Sequence, residues 1–306
     1  IHSEMTDTVD SIYEIINRSK YPNDVTDLYI HNPIIGKVSC WEPLGNKLSA
    51  NEKIAIANIP SEKYFTIRLD GKNFSSVVPV LVRLGLFSSG YSIEFENIMK
   101  LIADKLAVKF QNVLFVFTQS DEITIIIDKI KLSPDGSVFP REYSGRNDKL
   151  VSLSSSYASV LFFSELVKIN NKKGLNLNID DIPPTIFDAR IGVYDTLDDA
   201  FELILWRAYD CSVNGLSQAV HNCKIPNSKQ ARLYNTGDKL KFLETNGLLP
   251  LRDHQAYGTL LARTYTETEC VNQMTGKTTT KNMRSYVQIN GPVIKNIKED
   301  VLDIFV

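Results

Sequence analysis

The order of the apolar runs between residues 64 and 194 allows few folds. Four runs have the short apolar or alternating pattern of strands, and two have the three-to-four-residue apolar spacing of helices. Strands are predicted at 64–69, 113–117, 123–127 and 187–193, and helices at 93–110 and 150–161. The middle two strands form an antiparallel hairpin, because only a short polar tip separates them. This order predicts an α+β, ferredoxin-like domain, in which an antiparallel sheet carries helices on one face.

Two carboxylate motifs fall where predicted strands end. Asp70 follows the first strand in Arg-Leu-Asp-Gly, and Asp121 lies in Gln-Ser-Asp-Glu at the hairpin tip. Strands one and three are central neighbours in this topology, so the two aspartates are expected to face each other. Two carboxylates with a nearby carbonyl, here that of Gly71, suit Mg²⁺ and two-metal phosphoryl transfer. Taken separately, each motif is more typical of a polar turn, but their arrangement favours a metal site.

These motifs resemble those of the tRNA-His guanylyltransferases, the 3′-to-5′ RNA polymerases. Residues 68–74 read Arg-Leu-Asp-Gly-Lys-Asn-Phe, close to the family's Arg-φ-Asp-Gly-Arg-Asn-Phe, and residues 119–122 are identical to its Gln-Ser-Asp-Glu. Segments 145–150, 187–190 and 206–211 are similar to three further family motifs in the same order. The resemblance covers about residues 63–222 and implies a polymerase-like palm that adds nucleotides to the 5′ end of tRNA.

The resemblance also implies the roles of individual residues. The metal ligands are Asp70, the Gly71 carbonyl and Asp121, which hold two Mg²⁺ ions, and Glu122 assists catalysis beside the metal. ATP and GTP, or another nucleoside triphosphate, are the implied substrates. The implied nucleotide-binding residues are Arg68, Lys72, Asn73, Phe74, Ser120, Arg146 and Lys149.

Some of these basic residues also have ordinary structural interpretations. Arg146 and Lys149 are equally typical of a solvated helix start. Arg207 and Asp210, three residues apart on a predicted helix, are more typical of a helical ion pair than of a site.

The chain departs from the tRNA-His-specific members in three segments. Ser75 replaces a histidine, and segment 88–91 replaces one that carries a family lysine. Residues 212–218 read Ser-Val-Asn-Gly-Leu-Ser-Gln in place of His-Ile-Asn-Asn-Leu-Tyr-Asn, whose histidine is linked to anticodon recognition. This resembles the branch that repairs truncated tRNA 5′ ends against a template base, with Asn214 as an RNA-binding residue. Non-templated guanylate addition to tRNA-His is the alternative; a nucleotidyl cyclase and a non-catalytic RNA-binding relative are more remote ones.

Composition suggests how the chain is divided. Its 306 residues are 43% hydrophobic with a net charge of −2, but residues 224–306 hold 12 Lys and Arg against 8 Asp and Glu. We expect an accessory arm at 1–60, a catalytic palm at 61–222 and an α/β extension at 223–306 that faces RNA. Scattered surface lysines explain the positive excess equally well. The resemblance implies a homo-oligomer, a tetramer built from dimers.

Cysteines and hydropathy indicate the compartment. The cysteines at 40, 211, 223 and 270 have no Cys-x-x-Cys spacing, which predicts free thiols in a reducing compartment, the cytoplasm. A mitochondrial location stays open, because a removed transit peptide would leave no trace. No apolar stretch of about eighteen residues stands out, so no membrane partner is expected.

Overall fold

The computed structural model describes residues 41–53, 58–226, 233 and 236–290. Most of the predicted arm at 1–60, with Cys40, lies outside the described residues. The helices of the described part are α1 (Trp41–Lys53), α2 (Phe74–Arg83), α3 (Ile93–Lys109), α4 (Asn147–Lys173), α5 (Leu197–Asn222), α6 (Thr236–Thr245) and α7 (Asp253–Tyr257). The strands are β1 (Tyr64–Gly71), β2 (Val113–Gln119), β3 (Glu122–Ile127), β4 (Phe187–Tyr194), β5 (Thr259–Val271) and β6 (Thr278–Asn290).

One antiparallel sheet joins all six strands in the order β4-β1-β3-β2-β5-β6. Its first four strands have the ferredoxin-like order, so the predicted α+β fold is confirmed. The extension adds β5 to the free edge of β2, and residues Thr259–Ala262 form that pairing. The rest of the β5–β6 hairpin continues beyond the palm as a two-stranded ribbon.

Helices cover both faces of the sheet. The palm helices α3 and α4 share one face, as predicted, and they enclose a core with Phe65, Ile67 and Leu69 of β1. The opposite face packs against α5, where Phe115 and Phe117 of β2 meet the second core. All seven residues of β2 are buried. A strand that is apolar on both sides needs cover on both, and the flanking helices provide the second layer.

Two helical segments differ from the prediction. α2 was not predicted; Pro79 lies inside it and interrupts the apolar pattern of 74–83. α4 continues to Lys173, beyond the predicted end at residue 161, and ends at Gly174 with φ 63°. α5 begins after Thr196, whose hydroxyl accepts a hydrogen bond from the Asp199 amide at 3.1 Å.

α4 is also the helix in the described residues that is long and apolar enough to cross a membrane. The sequence pattern did not indicate a span of that length. Its buried stripe packs against the sheet, which is the role of a palm helix. The residues of that stripe are Leu150, Ser154, Ala158, Phe162, Leu166 and Asn170.

The sheet has two ends that matter for function. We call the end that carries Asp70 the carboxylate end, and the opposite end, where β1 begins, the distal end. The eight residues of β1 separate them by about 23 Å. α4 begins at the distal end, because the Ile59 amide beside its start donates to the Gly145 carbonyl at 2.7 Å. Farther along α4, Ser159 reaches the carboxylate end and accepts from the Phe187 amide at 3.0 Å.

Candidate active site

Strand pairing brings the two aspartates together at the carboxylate end. Asp70 lies opposite Glu122 in the register of β1 and β3. The Gly71 amide donates to the Asp121 carbonyl at 3.0 Å, which fastens the hairpin tip to the end of β1. Ser120 forms the tip with φ 47°, in the left-handed region. The carboxylates that the sequence predicted as metal ligands are therefore neighbours.

Among the described residues, the Asp70–Asp121 pair has no direct ion-pair partner, although Arg190, Arg68 and Arg207 are near enough to act on Asp70. Burial, together with the charges of Asp70 and Glu122, raises the pKa of Asp121 to about 7. Burial and then Asp188 raise the pKa of Asp70. Within the described residues, no ion pair joins either carboxylate to a cationic side chain; Arg190 pairs with Asp188 at 3.0 Å. Two close carboxylates without a counter-ion are a fitting set of ligands for a divalent cation.

The donor set suits Mg²⁺ better than a fully protein-ligated metal. The described residues contain no group of three or more His, Cys, Asp or Glu side chains that could hold an ion. Two carboxylates and the Gly71 carbonyl leave coordination positions for waters and phosphate oxygens, which Mg²⁺ prefers.

Glu122 has a different environment from its neighbours. Arg207 of α5 donates from Nε to Glu122 Oε2 at 2.7 Å and from Nη2 to Oε1 at 2.5 Å. The same Nη2 donates to Asp210 Oδ2 at 2.7 Å. The predicted Arg207–Asp210 pair is present, but the longer reach to Glu122 was missed, since β3 and α5 are far apart in sequence. Glu122 is thus neutralised by Arg207, whereas the prediction had it assisting beside the metal.

Arg68, predicted to bind nucleotide, has a structural partner. Its guanidinium forms two hydrogen bonds to Glu52 of α1, at 2.9 and 3.1 Å. It is 7% exposed and lies 5.8 Å from the Trp206 ring. The residue therefore fastens α1 to the sheet and is not available to a phosphate.

The turn after β1 explains the glycine of the first motif. A Cβ on Gly71 would lie 2.6 Å from the Phe74 ring, so only glycine fits. Phe74 is buried, with ring centroids 5.2 Å from those of Phe162 and Phe187. Lys72 and Asn73 are exposed at the same turn. Phe74 thus shapes the turn, while Lys72 and Asn73 are the predicted residues that a phosphate can reach.

A cavity of about 440 Å³ opens beside Asp121. Its walls come from α2, the segment before α3, the hairpin tip, α5 and α7. Sequence reasoning did not find the contribution of α7, because no motif marks it. The polar and aromatic lining residues include Ser75, Tyr91, Phe95, Glu96, Ser120, Asp121, Asn214, Gln218, His221, His254 and Gln255. The volume and mixed lining suit a nucleoside-sized ligand.

A hydrogen-bonded cluster makes one wall of this cavity rigid. The Glu96 carboxylate is buried and accepts from Arg252 at 2.8 Å and from the Tyr91 hydroxyl at 2.7 Å. Although burial opposes it, the hydrogen bond from Arg252 and the others lower the pKa of Glu96 to about 2. Burial lowers the pKa of His254 to about 4, and its Nδ1 lies 2.7 Å from Thr259 Oγ1. At neutral pH the wall holds a charged Glu96 and a neutral His254.

Arg146 and Lys149 are not brought to the carboxylates. Both are exposed at the start of α4, at the distal end, and Arg146 pairs with Asp148 at 2.7 Å. A triphosphate held at Asp70 is too far away to contact them within one chain. The basic segment was recognisable in the sequence, but the direction of α4 decides its position.

Comparisons with known proteins match the segment that contains the site. A family model described as Thg1, tRNAHis guanylyltransferase, matches residues 49–195, which include both aspartates. The palm of this chain is therefore similar to the Thg1 family. Members are nucleotidyltransferases, so the predicted resemblance and enzyme class are confirmed.

Two curated proteins match different lengths of this chain. An uncharacterised protein of Acanthamoeba polyphaga mimivirus is 29% identical over 250 residues, 75% of this chain and 80% of that protein. The tRNA(His) guanylyltransferase of Debaryomyces hansenii is 30% identical over 155 residues, 51% of this chain and 52% of that protein.

Solved Thg1 structures share the fold. A bacterial Thg1-like protein in complex with ATP superimposes with a TM-score of 0.56 at 19% identity, covering 85% of this chain and 98% of that one. The Saccharomyces cerevisiae enzyme gives a TM-score of 0.54 at 20% identity, covering 69% of this chain and 90% of that one.

The segment that departs from the Thg1 pattern, 212–218, lies on α5 at the cavity. Asn214 and Gln218 line the cavity, and the side chain of Ser212 is outside the described residues. A Cβ on Gly215 would lie 2.4 Å from the Gln255 carbonyl oxygen. The asparagine found here in tRNA-His-specific members would therefore collide with α7.

Proposed function

We propose that this protein is a Mg²⁺-dependent nucleotidyltransferase that extends the 5′ end of tRNA in the 3′-to-5′ direction and repairs 5′-truncated tRNA against a template base. The observation that carries the proposal is the Asp70–Asp121 pair, of which Asp121 lines a 440 Å³ cavity, in a palm that matches the Thg1 family model. The bacterial relatives solved with ATP and with GTP support nucleoside triphosphates as substrates.

The residues of the site divide the work of this reaction. When bound, Mg²⁺ supplies stabilisation of the charge that develops on the transferring phosphate. Asp70, Asp121 and the Gly71 carbonyl hold it. The cavity takes the base and ribose, and Lys72 and Asn73 are within the exposed turn beside the phosphates. The 3′-hydroxyl of the incoming nucleotide then displaces the leaving group at the 5′ α-phosphate of the tRNA, after activation with ATP where the end is a monophosphate.

The departures on α5 support the repair branch. Gly215 lies too close to α7 for the asparagine at that position of the tRNA-His-specific pattern, and Ser217 and Gln218 replace its tyrosine and last asparagine. RNA sequence is read through base-edge hydrogen bonds and stacking, so the loss of those groups relaxes selection by anticodon. Non-templated guanylate addition to tRNA-His is the alternative that the same palm supports.

The experiment offers tRNAs shortened by one 5′ nucleotide, with the opposing template base varied through all four choices. We expect addition of whichever nucleotide pairs with the template, on tRNAs of several identities. Addition of G regardless of template, and only to tRNA-His, would establish the alternative. No addition to any tRNA by protein that binds Mg²⁺ and triphosphates would overturn the transferase proposal.

The partners and compartment are part of the same proposal. We propose that the extension contacts tRNA through the projecting β5–β6 ribbon, which exposes Lys277 and Lys281. We also propose a homo-oligomer, tetrameric by family resemblance, in the cytoplasm. Cross-linking of the ribbon to bound tRNA and sedimentation of the purified protein test the first two parts.

A further inference from the structure

A chain of polar contacts leads from the metal-site hairpin to the cavity. Arg207, 7% exposed, bridges Glu122 of β3 and Asp210 of its own helix. Asp210 Oδ2 in turn accepts a hydrogen bond from Asn214 Nδ2 at 2.9 Å. Asn214 is exposed and lines the cavity beside Asp121. These four side chains therefore connect the hairpin of the aspartates to the surface that a base would touch.

The hydrogen bond to Asp210 determines which end of the Asn214 amide faces the ligand. A carboxylate that binds an arginine can only accept hydrogen bonds, so Asp210 selects the amino group of Asn214. The carbonyl oxygen Oδ1 is then the polar group that Asn214 offers to the cavity. An isolated asparagine can turn its amide by half a rotation, but this one is held as an acceptor.

We propose that Asn214 is a specificity-determining residue that accepts a hydrogen bond from the exocyclic amino group of a purine nucleoside triphosphate, and that Arg207, acting through Asp210, is the positioning residue that keeps it an acceptor. This inference rests on the proposed function, which makes such triphosphates the ligands of the cavity. Arg207 thereby has two tasks at once, since it also neutralises Glu122 next to the aspartates.

The proposal makes an unusual prediction for one isosteric substitution. In Asp210→Asn the new side chain gives its carbonyl oxygen to Arg207 and turns its amino group towards residue 214. Asn214 then rotates to offer Oδ1 to position 210 and presents its amino group to the cavity. A base that carries an amino group at that point loses a hydrogen bond and meets a second donor.

The experiment measures binding of nucleotides alone, by calorimetry with Mg²⁺ and without RNA. Two pairs of triphosphates differ in one amino group: GTP against inosine triphosphate, and ATP against purine riboside triphosphate. We expect the wild-type protein to bind the analogue roughly five- to tenfold more weakly in at least one pair, which is the size of one neutral hydrogen bond. That ratio should fall to about one in Asn214→Ala and to one or below in Asp210→Asn.

The matched control is Asp128→Asn. Asp128 also pairs with an arginine, Arg263, at 3.7 Å, but it lies near the distal end, where it cannot contact the ligand. The Asp128→Asn variant should keep the wild-type ratio of analogue to natural triphosphate binding, even if its melting temperature falls. Arg207→Lys, whose ammonium cannot bind both carboxylates as a fork, should also lower the ratio.

Two results would overturn the inference by itself: triphosphates that bind with no penalty for either missing amino group, or a penalty that persists in both Asn214→Ala and Asp210→Asn. Absence of any triphosphate binding to the wild-type protein would instead overturn the proposed function and, with it, this inference.

Discussion

The Asp70–Asp121 pair and the Glu122–Arg207 pair are neighbours at one end of the sheet, yet their charges are handled in opposite ways. Glu122 is matched by a buried guanidinium at 2.5 and 2.7 Å, whereas neither aspartate forms an ion pair among the described residues, and burial together with the charge of Asp70 raises the pKa of Asp121. From the sequence and the strand register alone, Asp70, Asp121 and Glu122 would look equivalent, because the three acids are neighbours. The comparison teaches that the unbalanced charge, more than the presence of an acid, identifies the place of a metal ion.

The largest effect should come from removing an unbalanced acid. Asp70→Asn or Asp121→Asn should reduce nucleotide addition by at least about a thousandfold, because metal activation contributes several kcal/mol to the transition state. Single-turnover rates with triphosphate-ended tRNA measure this, and chelation of Mg²⁺ should have the same effect on the wild type. Asp148→Asn, on the exposed pair with Arg146, is the control and should keep its rate. Turnover at the wild-type rate in either site variant would show that the metal lies elsewhere.

Substitution of Glu122, the acid that is paired with Arg207, should instead affect stability. Glu122→Gln removes one of the two carboxylates that pair with Arg207, the more buried one, and should lower the free energy of unfolding by about 2 kcal/mol. Asp121→Asn removes repulsion between like charges, so its stability in the absence of metal should be equal to or above that of the wild type. Urea denaturation in the presence of a chelator compares the two. If both variants were destabilised equally, the contrast between the two pairs would be wrong.

The pH dependence of stability should carry the same contrast. The pKa of Asp121 in the folded protein, about 7, is above its unfolded value near 4, so the folded state binds more protons in that interval. Without metal, the contribution of Asp121 to stability should therefore be greatest below pH 4 and decline as the pH rises to 7. Melting curves between pH 4 and 8 in a chelator test this. The decline should be absent in Asp121→Asn and reduced by Mg²⁺, which competes with the proton.

The smallest effect is expected at the distal end. Arg146→Ala and Lys149→Ala should change the dissociation constant for GTP by less than about twofold, since β1 separates them from the aspartates by about 23 Å. Lys72→Ala, at the carboxylate end, should weaken binding several-fold through loss of a charged contact to phosphate. Calorimetry compares the three variants. A large loss in Arg146→Ala would mean that a second copy of the chain brings this residue to the site.

Much of the palm was predictable because its signals are local. The strand and helix periods of 64–194 identified the fold, and the motifs at 68–74 and 119–122 identified the family. The second layer of helices was less evident, although a β2 that is apolar on both sides indicated it. α2 was missed because Pro79 interrupts its pattern, and the cavity was missed because its walls come from five separate segments.

The sequence by itself determined which strands pair and where the two aspartates fall, because alternation and turn position are properties of adjacent residues. Only the tertiary structure decided which charged groups are balanced. Arg68 is paired with Glu52, and Glu122 is paired with Arg207. Arg146 lies a full strand length from the aspartates, although its segment resembles a nucleotide-binding motif. Such partners are brought together by helix packing and by the direction in which each helix runs along the sheet. Whether a charged side chain is paired therefore depends on distances in the folded structure, which a local sequence pattern does not contain.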